Sequence, residues 1–135
     1  MPILPEPPAS KILVHRMPIV IRWGDMDAMR HVNNAVYFRY METIRIAWFD
    51  ALGLEVSVDE PGPVIINATC TFVRQFTYPD TIDARHYVGD FGRTSVETWI
   101  ELARKDEPDV VCAHGSARIV WADMKAQRSA PIPAA

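Results

Sequence analysis

Two aspartates, a histidine and two asparagines fall together in "RWGDMDAMRHVNNAVY", residues 22–37, as Asp25, Asp27, His31, Asn33 and Asn34. Carboxylates and imidazoles move protons and attack carbonyl carbons, and asparagine side chains cap helices. Apolar runs bound the stretch, "MPIVI" before it and "AVYFRYMETIRIAWFDAL" after it, so these residues occupy a turn that feeds a hydrophobic helix. Asp27 lies seven residues before Asn34, where that helix begins. A helix N-terminus presents unpaired N–H groups and a partial positive charge. A carbonyl held there would have its developing oxyanion stabilised while Asp27, or a water it activates, attacked from the other side. The same residues also describe a capped and solvated turn, and spacing alone does not separate the two.

Other chemistries lack their residues. There is no G-x-S-x-G elbow and no G-x-x-x-x-G-K phosphate loop. His15, His31, His86 and His114, with Cys70 and Cys112, lack metal-ligand spacing, so neither a metal nor a separate cofactor is expected. A net charge of −3 argues against a nucleic-acid surface but allows a local basic patch for a phosphorylated ligand. The cysteines sit in apolar, strand-like runs and read as reduced, buried thiols of a cytoplasmic protein. "MPILPEPPAS" is broken by prolines and lacks the cationic start of a secretory signal. No apolar stretch approaches the ~18–20 residues of a membrane span.

The elements that must position the turn follow from periodicity. At 135 residues, 49% hydrophobic and 23% charged, the chain has the size and composition of one globular domain. Residues 1–11 read as an extended, proline-rich arm, 12–124 as the single folded domain, and 125–135 as a loose tail. "HRMPIVIRW" reads as a short strand, and a helix is expected from Ala35 to Leu52. Asn33 and Asn34 would cap its start, Gly53 would take the left-handed position past its end, and Leu54 would pack back. Tyr37, Tyr40, Met41, Ile44 and Trp48 form one stripe, widened by Phe38, Ala47, Phe49 and Leu52, which implies a helix covered on most sides. The period then switches to two. Val64, Ile66, Ala68, Cys70 and Phe72 alternate with Asn67, Thr69 and Thr71, and Ile82, Ala84, His86 and Val88 alternate further on. "DFGR" and "KDEPD" read as turns leading to "TSVETWIEL" and "VVCAHGSARIVW". The order β-α-β-β-β-β predicts an α+β fold with a curled antiparallel sheet around one long helix.

The segment "RWGDMDAMRHVNNAVYFRYMETIR", with D-x-D followed by H-V-N-N-x-x-Y, resembles the hotdog-fold acyl-CoA thioesterases related to 4-hydroxybenzoyl-CoA thioesterase. "FVRQFTYPDTI" and "GRTSVETWIEL" are similar to later strands of that family, so the likeness spans residues 17–122. It implies the hotdog fold and hydrolysis of an acyl-CoA thioester. The second aspartate of the motif falls on Asp27 as catalytic carboxylate, and the carbonyl-polarising amide falls on the backbone of Asn34. Arg93, beside Gly92 at a tight turn, matches a basic position that holds coenzyme A phosphates, with Arg74 and then His86 as lesser candidates for that role. The likeness also implies a homodimer or a dimer-based homotetramer with sites between subunits.

Each remaining residue has two readings. Asp25 makes a turn or an ion pair with Arg22 or Arg30, or is itself catalytic. His31 is a second acid/base group or orders the loop. Asn33 reads as structural. Tyr37 lines an acyl pocket or packs in the core. Asn67 and Thr69 could reach the site from the facing strand. Asp27 would serve as general base on water or as nucleophile through a mixed anhydride. The rival functions are a hotdog dehydratase or isomerase acting on acyl thioesters, and a non-catalytic acyl-CoA binder. Acyl carrier protein is an alternative to coenzyme A as donor, and acyl-chain length is not readable from one chain.

Overall fold

The computed structural model describes residues 11–54 and 60–133. Strand β1 (Ile12–Val20) is followed by a single 3-10 turn at Trp23–Asp25 and by helix α1 (Asn34–Ala51). Four longer strands follow, β2 (Gly62–Phe72), β3 (Thr81–Phe91), β4 (Ser95–Arg104) and β5 (Glu107–Asp123), then a two-residue strand β6 (Arg128–Ser129). The sheet order is β1-β3-β4-β5-β2, every pairing is antiparallel, and β6 adds to β5. The chain thus leaves one sheet edge at β1, runs along the helix, and resumes at the opposite edge as β2. This is the hotdog arrangement, one long helix against a single curled sheet.

The helix ends obey local chemistry. Asn33 is the N-cap, its side-chain oxygen accepting the Ala35 N–H at 2.9 Å. At the other end Gly53 adopts φ 73°, its N–H donating to the Asp50 carbonyl while that of Leu54 donates to Phe49. That pair of bonds is the Schellman closure, and it places Leu54 against Trp48 and Phe49.

Between its ends the helix buries Tyr37, Tyr40, Met41, Ile44, Arg45, Trp48 and Phe49 against the sheet. The expectation of cover on most sides is corrected here: Phe38 is 40% exposed and Ile46 is 46% exposed. A single-layer sheet touches only one face of a helix, so the apolar residues opposite stay open within one chain. The alternation in β2 also needs correction. A bulge between Ile65 and Asn67 takes up one residue, turning Ile65 inward and leaving Ile66 56% exposed. The alternation in β3 holds, with Ile82, Ala84, His86 and Val88 all buried under the helix.

The tail departs from its expected looseness. Arg128 and Ser129 pair with Asp123 and Ala122, and the Ile132 N–H donates to the Arg93 carbonyl at 2.9 Å. Of the arm expected over residues 1–11, residues 1–10 lie outside the described residues, and Lys11 pairs with Glu101 at 3.3 Å. Both cysteines are unpaired, Cys112 buried and Cys70 half-buried, and burial pushes the Cys70 thiol up to about 12. No helix among the described residues is long and apolar enough to cross a membrane.

Two core positions give direct tests. Gly115 lies where β5 passes beneath the helix: an added Cβ would collide with the Thr69 carbonyl oxygen and come within 2.8 Å of the Met41 sulfur. Gly115→Ala should therefore lower unfolding stability by about 2–4 kcal/mol in urea titration. A loss within the ordinary scatter of surface substitutions would contradict that packing.

His86 is fully buried, edge-on to Trp48 at 4.8 Å, and neither ring nitrogen has a hydrogen-bond partner among the described residues. Burial first, then the nearby Arg45 and His15, lower its pKa from 6.5 to about 3. The folded state therefore holds it neutral while the unfolded chain protonates it, so its contribution is complete above pH 6.5 and declines as pH falls toward 3. Melting temperature should drop across that window, with a shallower slope in His86→Leu. An unchanged slope would remove His86 as the cause.

Candidate functional site

The candidate site grows out of the connection between β1 and α1. Trp23–Asp25 makes one tight turn, closed by the Asp25 N–H donating to the Arg22 carbonyl. Asp25 is 8% exposed, and its Oδ2 accepts the Arg22 N–H at 2.9 Å and the Tyr40 hydroxyl at 2.8 Å. The Arg22 guanidinium approaches the other carboxylate oxygen at 3.9 Å. Asp25 is thus a structural anchor, as its turn or ion-pair reading proposed, with Arg22 rather than Arg30 as the ion-pair partner. Its bond to Tyr40 was not legible, because a tyrosine fifteen residues away carries no local signal. Burial and the Asp25 contact raise the Tyr40 pKa, so that hydroxyl stays protonated and donates.

Beyond Asp25 the chain folds into a small hairpin. Met26 pairs with Val32, the Asp27 N–H donates to the His31 carbonyl, and the Arg30 N–H donates back to the Asp27 carbonyl, both at 3.0 Å. The loop between Asp27 and His31 is three residues long, and its last residue, Arg30, holds φ 61°. Loops of this kind end in a left-handed residue, commonly glycine. The returning strand is tied down twice, by the Asn33 N–H to the Asp25 carbonyl and the Val32 N–H to the Phe76 carbonyl. Asn33 then caps the helix, and the amide of Asn34 is left with no hydrogen-bond partner among the described residues.

Asp27 itself is exposed at the hairpin. Its Oδ1 accepts the Met29 N–H at 2.9 Å, an Asx turn that fixes the side chain, while Oδ2 has no donor among the described residues. The carboxylate lines a cavity of about 590 Å3 with Trp23, Gly24, Met26, Ala28 and Arg30. Asn34 is not part of that cavity wall. It lies three positions along near-extended chain from His31, which is opposite Asp27, a backbone separation of roughly 10 Å. The arrangement offers a carboxylate free to accept a proton or attack, and an unpaired helix amide on the same hairpin.

The other candidates divide. His31 is half-buried, and its carbonyl holds the Asp27 amide, which places its backbone in the ordering role. Tyr37 lies in the core at 1% exposure: its hydroxyl accepts the Phe76 N–H, and its ring meets Phe72 edge-on at 4.9 Å. The core reading of Tyr37 is therefore the one observed. His86 is removed as a phosphate ligand by its complete burial. Arg74 is exposed just after β2, two residues before the Phe76 that holds Val32, and so shares the hairpin's end of the molecule. Arg93 lies in the turn between β3 and β4, beyond the helix C-terminus, and one chain does not bring it to Asp27. The Asn67 side chain accepts the Arg118 N–H, and the Thr69 hydroxyl pairs with that of Ser116 at 2.7 Å, so both are engaged across β2 and β5. Among the described residues no three His, Cys, Asp or Glu side chains converge as a metal site.

Comparison with known proteins agrees with this architecture. No curated protein matches the chain. Among solved structures, the PA2801 protein, a candidate thioesterase from Pseudomonas aeruginosa, is 35% identical with a TM-score of 0.85, over 90% of this chain and 94% of that one. A candidate acyl-CoA thioesterase from Xanthomonas campestris is 28% identical with a TM-score of 0.80, over 90% of this chain and 100% of that one. The BH1999 gentisyl-coenzyme A thioesterase, at 24% identity and a TM-score of 0.78, covers 89% of this chain and 97% of its own and shares the fold. The thioesterase-like superfamily profile matches residues 21–135, the D-x-D hairpin, the helix and the whole of the following sheet. The chain belongs to the thioesterase-like superfamily.

Proposed function

We propose that the protein hydrolyses acyl-CoA thioesters to the free acid and coenzyme A in the cytoplasm, with Asp27 as general base or nucleophile. The observation that carries this reading is a carboxylate oxygen on the same hairpin as a helix N-terminal amide, neither with a hydrogen-bond partner among the described residues. The thioester carbonyl oxygen accepts the Asn34 N–H, which draws charge off the carbonyl carbon. As base, Asp27 takes a proton from water, the water oxygen bonds to that carbon, the C–S bond breaks, and the leaving thiolate takes up the proton. The roughly 10 Å between the two backbone positions leaves room for a carbonyl and a water in series. As nucleophile, Asp27 would bond to the carbon directly, and water would then cleave the mixed anhydride.

Arg74, at the hairpin's end, and Arg93, at the far end, are the proposed phosphate ligands of coenzyme A. Among the described residues β2 is paired only with β5, and none pairs with its other edge. A second copy laid antiparallel along that edge would carry its own Arg93 end toward this Asp27 end. The reading therefore includes a homodimer, or a homotetramer built from dimers. Acyl carrier protein in place of coenzyme A would leave the reacting groups unchanged.

Asp27→Asn keeps the shape and removes the charge. Its turnover of acyl-CoA, followed by released thiol, should fall about 10²–10⁴-fold. Equal rates in variant and parent would overturn the assignment of Asp27. A product changed in its acyl chain with no thiol release would instead identify a dehydratase or isomerase, and tight acyl-CoA binding without turnover a binder.

A further inference from the structure

Arg30 is the feature of the hairpin that the chemistry above leaves unused. It holds φ 61° although it carries a side chain, in a loop position where glycine would fit without strain. It lines the same cavity as Asp27, yet the two form no ion pair. Arg22 is engaged with Asp25 and Arg39 with Glu42, whereas Arg30 has no acidic partner among the described residues. The cavity's remaining wall is largely apolar, from Met26, Ala28 and Trp23, a residue 73% exposed.

We infer that Arg30 selects acyl groups that carry their own carboxylate, so that the preferred substrate is the monothioester of a dicarboxylic acid. The inference rests on Asp27 as the reacting carboxylate. An unpaired guanidinium beside a cavity suits an anionic ligand group, which it can bind through two parallel N–H bonds. The coenzyme A phosphates are the obvious alternative anion, but the whole pantetheine arm separates them from the thioester. Arg30 is three residues from Asp27 and hydrogen-bonded to it through the backbone, so its charge lies near the reacting end of the substrate. The acyl methylenes would lie on Trp23 and Met26. A cation here also answers a difficulty of an anionic acyl group, its repulsion by Asp27.

The test compares glutaryl-CoA with valeryl-CoA, matched in length and differing in the terminal charge, in the full-length protein, Arg30→Gly and Arg30→Lys. Glycine suits the left-handed backbone, so Arg30→Gly should fold at least as well as the parent. The parent should favour glutaryl-CoA in kcat/KM, and Arg30→Gly should lower that preference about 10–100-fold, the worth of a charge-assisted hydrogen-bond pair, with Arg30→Lys between. A preference unchanged in Arg30→Gly overturns the inference. So does an equal rise in KM for both substrates, which would put Arg30 on the coenzyme A portion. Binding of the non-hydrolysable thioethers S-(4-carboxybutyl)-CoA and S-pentyl-CoA, matched in length, gives the same ratio without turnover. If no thioester is cleaved but the thioether ratio still collapses in Arg30→Gly, hydrolysis fails as the function and Arg30 stands as the carboxylate ligand.

Discussion

The Asp25 carboxylate is removed from water at the point where the first strand hands over to the helix. A buried carboxylate is tolerated only where donors replace its lost hydration. Here the Tyr40 hydroxyl and the Arg22 amide do so at 2.8 and 2.9 Å. The Arg22 guanidinium, at 3.9 Å and mostly solvent-exposed, adds little. The Asp25 carbonyl accepts the Asn33 amide, so Asp25 grips the second turn of the helix through its side chain and the N-cap through its backbone. Asp27 is two residues beyond this anchor and Asn34 one residue beyond the capped end. Both candidate reacting groups take their positions from it.

A second set of bonds ties the hairpin to the sheet. The Val32 amide donates to the Phe76 carbonyl, and the Phe76 amide donates to the Tyr37 hydroxyl. Tyr37 packs between Phe72 and Phe76, so an aromatic ring fills the core while its polar tip satisfies a buried N–H. Arg74 is carried on the same loop. The hairpin is therefore exposed at its tip and rigid at its base, a suitable base for a carboxylate that must keep its direction without losing access to solvent.

The open side of the molecule has its own logic. Phe38 and Ile46 stay exposed on the helix, and Ile66 on the strand that ends the described sheet. Such residues are an aggregation hazard in a lone chain and natural material for pairing with another.

Period and punctuation determined the elements: the 3.6 period with Asn33 before it and Gly53 after it marks the helix, and the alternation Ile82, Ala84, His86, Val88 marks a strand with one buried face. The D-x-D…H-V-N-N pattern singles out Asp27 and Asn34 as candidates. These are short-range properties, carried by a residue and its neighbours along the chain. What a side chain meets across the fold is not. The sequence could not show that Tyr40 closes on Asp25, that Tyr37 belongs to the core, or that His86 is sealed from any phosphate. A one-residue bulge moved Ile66 outward, and a left-handed turn put Arg30 beside Asp27 in one cavity. Those outcomes depend on contacts between distant segments, and the free energy of burial decides them only once the sheet has closed on the helix.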